Sequence, residues 1–130
     1  MTQFCIIITS SALDADGVYS AYRFAQAVID KGHKINGVFF YQSGVTLANG
    51  YQTFLSDERD MHKLWSEFAS QYDIPLQVCV TAANRRGLIS EQDAAEQSEP
   101  NGFNLSPPFS SVGLGELMVL LEECDRSIQF

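Results

Sequence analysis

Cys79 closes a short apolar run, Leu76-Gln77-Val78-Cys79-Val80, and is followed by Thr81-Ala82-Ala83-Asn84-Arg85-Arg86-Gly87. A thiol between the end of a strand and the start of a helix meets unpaired backbone N–H groups and the positive end of the helix dipole. Both favour an anionic sulfur. Arg85 and Arg86 follow within two turns, in a chain with only 8 Lys and Arg, and a guanidinium turned back toward the sulfur would act in the same direction. An anionic sulfur can attack the sulfur atom of a donor and hold it as a persulfide. The same spacing also fits a small buried residue in a core strand. Arg85 and Arg86 would then be solvent-facing helix residues, or an anchor for an acidic partner segment. Spacing alone leaves these readings open.

The remaining chemistry-bearing residues are weaker candidates. Cys5 lies inside Phe4-Cys5-Ile6-Ile7-Ile8, apolar surroundings that hide a thiol, and reads as packing. Cys124 stands between Glu122-Glu123 and Asp125, whose charge disfavours an anionic sulfur. Packing is the reading there too, with a secondary exposed thiol as the alternative. The 3 cysteines are odd in number and widely spaced, without a C-x-x-C, which argues against a disulfide framework and a zinc site. His33 and His62 have no ligand spacing and read as solvated surface residues. Without a histidine placed as a base, and with Val78 and Val80 flanking Cys79 where a nucleophile elbow needs glycines, a Cys–His hydrolase is disfavoured. The chain has neither G-x-x-x-x-G-K-[ST] nor G-x-G-x-x-G. Thr9-Ser10-Ser11 could line an anion or flavin-phosphate site, a weak signal, and Asp14 and Asp16 read as a solvated turn.

The elements that must position Cys79 alternate in type. Residues 3–9 are a β-branched run suited to a strand buried on both faces. Val18, Tyr22, Ala25, Val28 and Ile29 then recur at helical spacing, with Asp16 as N-cap and Gly32 as stop. A second strand covers 35–41. The segment 42–57 is glycine-rich and polar, with a short helical turn near Leu47. Met61, Leu64, Trp65, Phe68, Ala69 and Tyr72 mark the clearest amphipathic helix, capped by Ser56 or Asp57. Pro75 opens the third strand, 76–80, and residues 81–98 are helical in two pieces broken near Gly87. Prolines and glycine exclude regular structure from 98 to 108. A helix over 113–123 turns Leu114, Leu117, Met118 and Leu121 inward, and 126–130 is a closing strand. This order predicts a single domain, 1–130, of the α/β class: three layers, α/β/α, around a mostly parallel sheet of about five strands. Sites in such sheets lie beyond the carboxyl ends of the strands, so the loops after Thr9, Tyr41 and Val80 should share one rim.

Composition narrows the partners. The 130 residues include 45% hydrophobic and 18% charged side chains, enough to fold a core without disulfide or metal. Sixteen acidic against 8 basic residues give a net charge of −8, which disfavours direct nucleic-acid binding and docking on anionic membranes and leaves protein partners open. The opening residues lack the basic region of a signal peptide and read as a strand, and no run of about 20 apolar residues is present. A cytoplasmic protein with free thiols is expected.

Taken together, these segments resemble the DsrE/TusD family of small sulfur-relay proteins, on the side of TusD, the sulfurtransferase subunit of a TusBCD complex. The resemblance runs along the chain. It includes the Ile6-Ile7-Ile8-Thr9 strand, Ser20 to Ala27, Gly32-His33 leading to Val38-Phe39-Phe40-Tyr41, Gly44-Val45, Ala48-Asn49, Val78 to Ala83 with Arg85-Arg86-Gly87, Gly113-Leu114-Gly115, and Cys124-Asp125-Arg126 to Gln129-Phe130. It implies that the thiol matching Cys79 carries a persulfide. It further implies a TusA-like sulfur donor, a TusE-like acceptor, TusB-like and TusC-like subunits in a heterohexamer, a role in tRNA 2-thiouridine formation, and no metal or organic cofactor. Segment 97–108 matches nothing in the family pattern, and its place after the Cys79 helix suggests a cover over the thiol. Three alternatives remain: a DsrE subunit of a DsrEFH complex in sulfur oxidation, a non-catalytic assembly subunit, and a flavodoxin-like cofactor binder.

Overall fold

The β-branched and amphipathic runs fold in the alternating order their periods predict. A computed structural model describes residues 1–13, 15–97 and 102–130. Strand β1 (Gln3–Ile8) is followed by α1 (Gly17–Asp30), β2 (Lys34–Phe40), a 3-10 helix (Gln42–Ala48), α2 (Met61–Tyr72), β3 (Leu76–Cys79), α3 (Val80–Arg85), α4 (Glu91–Ala95), β4 (Phe109–Val112), α5 (Leu114–Glu123) and β5 (Arg126–Gln129). The five strands form one sheet in the order β4-β3-β2-β1-β5, every neighbouring pair parallel. This is the expected α/β/α architecture.

The register decides which residues share a face. Successive side chains along a strand alternate. Phe4, Ile6 and Ile8 pair with Ile35, Val38 and Phe40, and the last two pair onward with Leu76 and Val78. These residues face α1 and α2. Trp65, fully buried, stands edge-on to Phe40 and Tyr22 at centroid separations of 6.2 and 5.6 Å, and its indole N–H donates to the Val18 carbonyl at 3.3 Å. A buried ring of this size removes about 200 Å² from water, a contribution of several kcal/mol. Cys5, Ile7, Gly37, Phe39, Gln77 and Cys79 take the opposite face, toward α5. There Leu120 lies so close to Gly37 that an added Cβ would sit 3.0 Å from its methyl carbon. An extra residue in β2 produces a register shift opposite Phe4 and Cys5.

Several local expectations need correction. The carboxylate capping α2 is Asp60, which accepts from the Lys63 amide at 3.0 Å, in place of Ser56 or Asp57. Asp16 occupies the N-cap position of α1 without a side-chain bond, whereas Gly32 adopts the left-handed conformation (φ 80°) expected after a helix end. Strand β4 was absent from the predicted elements. On α5, Leu120 is the buried residue, while Leu114 and Met118 are exposed. His62 is half-buried, 5.0 Å from the Phe109 ring, and desolvation lowers its pKa, with the Asp60 charge and the Ala48 backbone acting the other way. His33 is half-buried as well, its Nδ1 accepting from the Thr2 amide at 3.0 Å.

Candidate active site

Cys79 is the last residue of β3 and the N-cap of α3, with extended backbone angles (φ −61°, ψ 116°). The six-residue helix that follows turns Ala82 and Ala83 down into the core. Their small side chains let α3 lie close to the sheet rim and leave Thr81, Arg85 and Arg86 at the surface. The parallel register pairs Cys79 with Val112 at the end of β4, and α5 begins two residues later with Leu114.

These segments enclose a cavity of about 420 Å³ lined by Tyr41, Gln42, Cys79, Thr81, Ala82, Arg85, Arg86 and Leu114. Cys79 is only 3% exposed. The moderate exposure that exchange with another protein calls for is therefore not met at the residue itself. Cys79 lines the cavity between the first residue of α5, Leu114, and the start of the 3-10 helix, Tyr41 and Gln42. Among the described residues, two guanidinium groups and no carboxylate line that cavity, in a chain of net charge −8. Arg86 Nη1 donates to the Ala82 carbonyl at 3.1 Å and so is held against its own helix. The structure thus gathers Cys79, Arg85 and Arg86 around one space. Sequence reasoning missed Tyr41, Gln42, Thr81 and Leu114. The rule that sites lie past the carboxyl ends of strands pointed to Tyr41 and Gln42, which directly follow β2.

Other candidates have different settings. The Thr9 hydroxyl donates to the Phe130 carbonyl at 3.3 Å and accepts from Gln129 at 3.2 Å, tying the ends of β1 and β5. Asp14 and residues 98–101 lie outside the described residues. The described part of the expected cover, residue 97 and residues 102–108, does not line the Cys79 cavity. Asn104 holds it elsewhere: its side chain donates to Asn49 Oδ1 and the Gly87 carbonyl and accepts from the Ile89 amide at 2.8 Å. Cys5 is fully buried, and its pKa is pushed up to about 12, mainly by burial and further by the hydrogen bond and charge of Cys124. Among the described residues no group of three or more His, Cys, Asp or Glu side chains is placed to hold a metal ion, and no helix is long and apolar enough to cross a membrane.

The model of the DsrE/DsrF-like family matches residues 2–130. The chain belongs to the DsrE/DsrF-like family. Its relatives include the sulfurtransferase TusD of Proteus mirabilis, 45% identical over 98% of this chain and 97% of that one. The sulfurtransferase TusD of Serratia proteamaculans is 43% identical over the whole of both chains, and that of Yersinia pestis is 41% identical over 98% and 97%. Full-length identity at this level assigns sulfur transfer as the activity class of this family member. The crystal structure of ychN protein from E. coli superposes over the whole of both chains with a TM-score of 0.78 at 16% identity, a match of fold.

Proposed function

We propose that this chain is the persulfide-carrying subunit of a sulfur relay, with Cys79 as the carrier. The observation that supports this reading best is a cysteine at the carboxyl end of a central strand, lining one cavity with two arginines. The Cys79 sulfur attacks the outer sulfur of a donor persulfide. A new S–S bond forms at Cys79, the donor's S–S bond breaks, and the donor leaves as a thiolate. An acceptor thiolate then attacks the outer sulfur of the Cys79 persulfide and returns Cys79 to its starting form. Neither step oxidises or reduces the pair overall, so no redox cofactor or dedicated base is required. Arg85 and Arg86 offset the negative charge that passes between the two sulfurs.

The donor in this reading is a TusA-like protein and the acceptor a TusE-like protein, in a cytoplasmic relay that ends in 2-thiouridine on tRNA. The TusD relatives favour this pathway over sulfur oxidation. With a charge of −8, the chain is suited to handling sulfur between proteins without touching the tRNA itself. Leu114, Met118 and Val119 on α5 are 47, 58 and 45% exposed, an apolar strip beside the cavity mouth suited to TusB-like and TusC-like subunits in a heterohexamer.

Incubation of the assembled complex with a persulfidated donor tests the reading. Peptide mass spectrometry is expected to find a gain of about 32 Da, one sulfur atom, on the Cys79 peptide. A gain confined to Cys124 would overturn it. A second expectation concerns charge. Arg85→Glu should slow sulfur uptake from the donor about 10-fold at low salt, with the difference shrinking as ionic strength rises. Stopped-flow uptake rates across a salt series check this.

A further inference from the structure

At the other end of the sheet, the Sγ atoms of Cys5 and Cys124 lie 3.1 Å apart, although 119 residues separate them in the chain. We propose that Cys5 and Cys124 form an oxidisable dithiol, in which a peroxide converts the pair into a disulfide that staples β1 to the turn between α5 and β5. The proposal stands whether or not Cys79 carries sulfur.

The surrounding structure holds the two sulfurs together. The Gln3 amide donates to Asp125 Oδ2 at 2.8 Å and the Asp125 amide donates to the Gln3 carbonyl at 2.7 Å, clamping the backbone next to both cysteines. The register shift at Phe4 and Cys5 comes from the extra β2 residue, Asn36. The Asn36 side-chain amide donates to Gln3 Oε1 at 3.0 Å and to the Glu123 carbonyl at 3.2 Å, fixing the turn that carries Cys124. A bulge of this kind re-aims neighbouring side chains. The sulfurs need to close only about 1 Å to reach a bond of about 2.0 Å.

Burial orders the chemistry. Cys5 is fully buried and Cys124 half-buried, so a peroxide reaches Cys124 first. The Cys124 sulfur attacks a peroxide oxygen: an S–O bond forms, the O–O bond breaks, and the leaving oxygen departs with the thiol proton as water or an alcohol. The Cys5 sulfur then attacks the Cys124 sulfenic acid. The S–S bond forms, the S–O bond breaks, and the departing hydroxide takes the Cys5 proton as water. Two electrons pass from the two thiols to the peroxide.

The test uses the full chain carrying Cys79→Ser, so that only this pair can react, treated with a modest excess of hydrogen peroxide. Non-reducing peptide mapping is expected to show the Cys5 and Cys124 peptides joined, about 2 Da lighter than their sum, and the melting temperature to rise by roughly 10 °C until reductant is added. In Cys5→Ala on the same background, the sulfenic acid on Cys124 should persist and be captured by dimedone. A Cys124 that goes on to the sulfinic acid with Cys5 still alkylatable after unfolding would overturn the proposal. Two chains joined through Cys124, or an unreacted pair, would do the same.

Discussion

Cys79→Ser is expected to lower the rate of sulfur transfer by about 10³-fold or more, the scale on which removal of a nucleophile acts. A serine oxygen at neutral pH is a poor nucleophile toward sulfur and forms no persulfide, so the loss should appear in both uptake and delivery. The fold should survive. The substitution keeps the side-chain volume nearly constant at the edge of a cavity that water can enter, and a hydroxyl there costs about 1 kcal/mol when only partly hydrogen-bonded. Calorimetry should therefore show a melting temperature within a few degrees of the parent, and assembly with partner subunits should be unchanged. Cys124→Ser serves as the control. Its sulfur lies against Cys5, away from the cavity, and its transfer rate should match the parent. Full transfer by the Cys79→Ser protein would end the carrier assignment.

The parts of this fold that local periodicity controls were legible in the sequence. The β-branched run 3–9 predicted the first strand, which spans Gln3–Ile8, and the Met61 to Tyr72 stripe located α2, although Ser56 or Asp57 as its cap lies three or four residues before Asp60. Strand β4 was not legible because it has four residues, two of them serines, and its place is determined by pairing with β3 more than 30 positions earlier. The orientation of α5 was legible in part: Leu117 and Leu121 pack against the core as expected, whereas Leu114 and Met118 are exposed. Leucine, methionine and valine occupy most of its circumference, so spacing could not choose the whole inward side, and the contact of Leu120 with Gly37 settles it. At the candidate site, Cys79, Arg85 and Arg86 were found because they are neighbours in sequence. Tyr41, Gln42 and Leu114 come from segments that only the sheet brings together. The Cys5–Cys124 pair was hidden in the same way. An odd cysteine count without a C-x-x-C argues against a disulfide framework, but it says nothing about two thiols that parallel pairing of β1 and β5 places side by side.

Gly44→Ala is expected to be the most damaging single-methyl substitution in the chain, destabilising it by about 3 kcal/mol, the upper end of what overpacking costs. The 3-10 helix crosses the ends of β1 and β2 at Gly44, which is buried. A Cβ there would overlap the Ile8 carbonyl oxygen and lie 2.6 Å from its carbonyl carbon and 3.2 Å from the Thr9 Cα. All three are backbone atoms, so no rotamer change can relieve the contact. The Ile8 carbonyl is already engaged by the Tyr41 amide at 2.9 Å, and the Gly44 amide donates to the Tyr41 carbonyl at 3.0 Å. Pushing the helix away therefore strains both bonds. Because Tyr41 and Gln42 line the Cys79 cavity, the folded fraction of the variant should also transfer sulfur more slowly than the parent. Gly115→Ala is the matching control, since nothing lies within 4 Å of the added methyl and the residue is inside α5. That variant should gain roughly 0.5–1 kcal/mol from the better helix propensity of alanine. Urea unfolding of the two variants checks the contrast, and equal midpoints would show that the 3-10 helix does not sit against the strand ends as described.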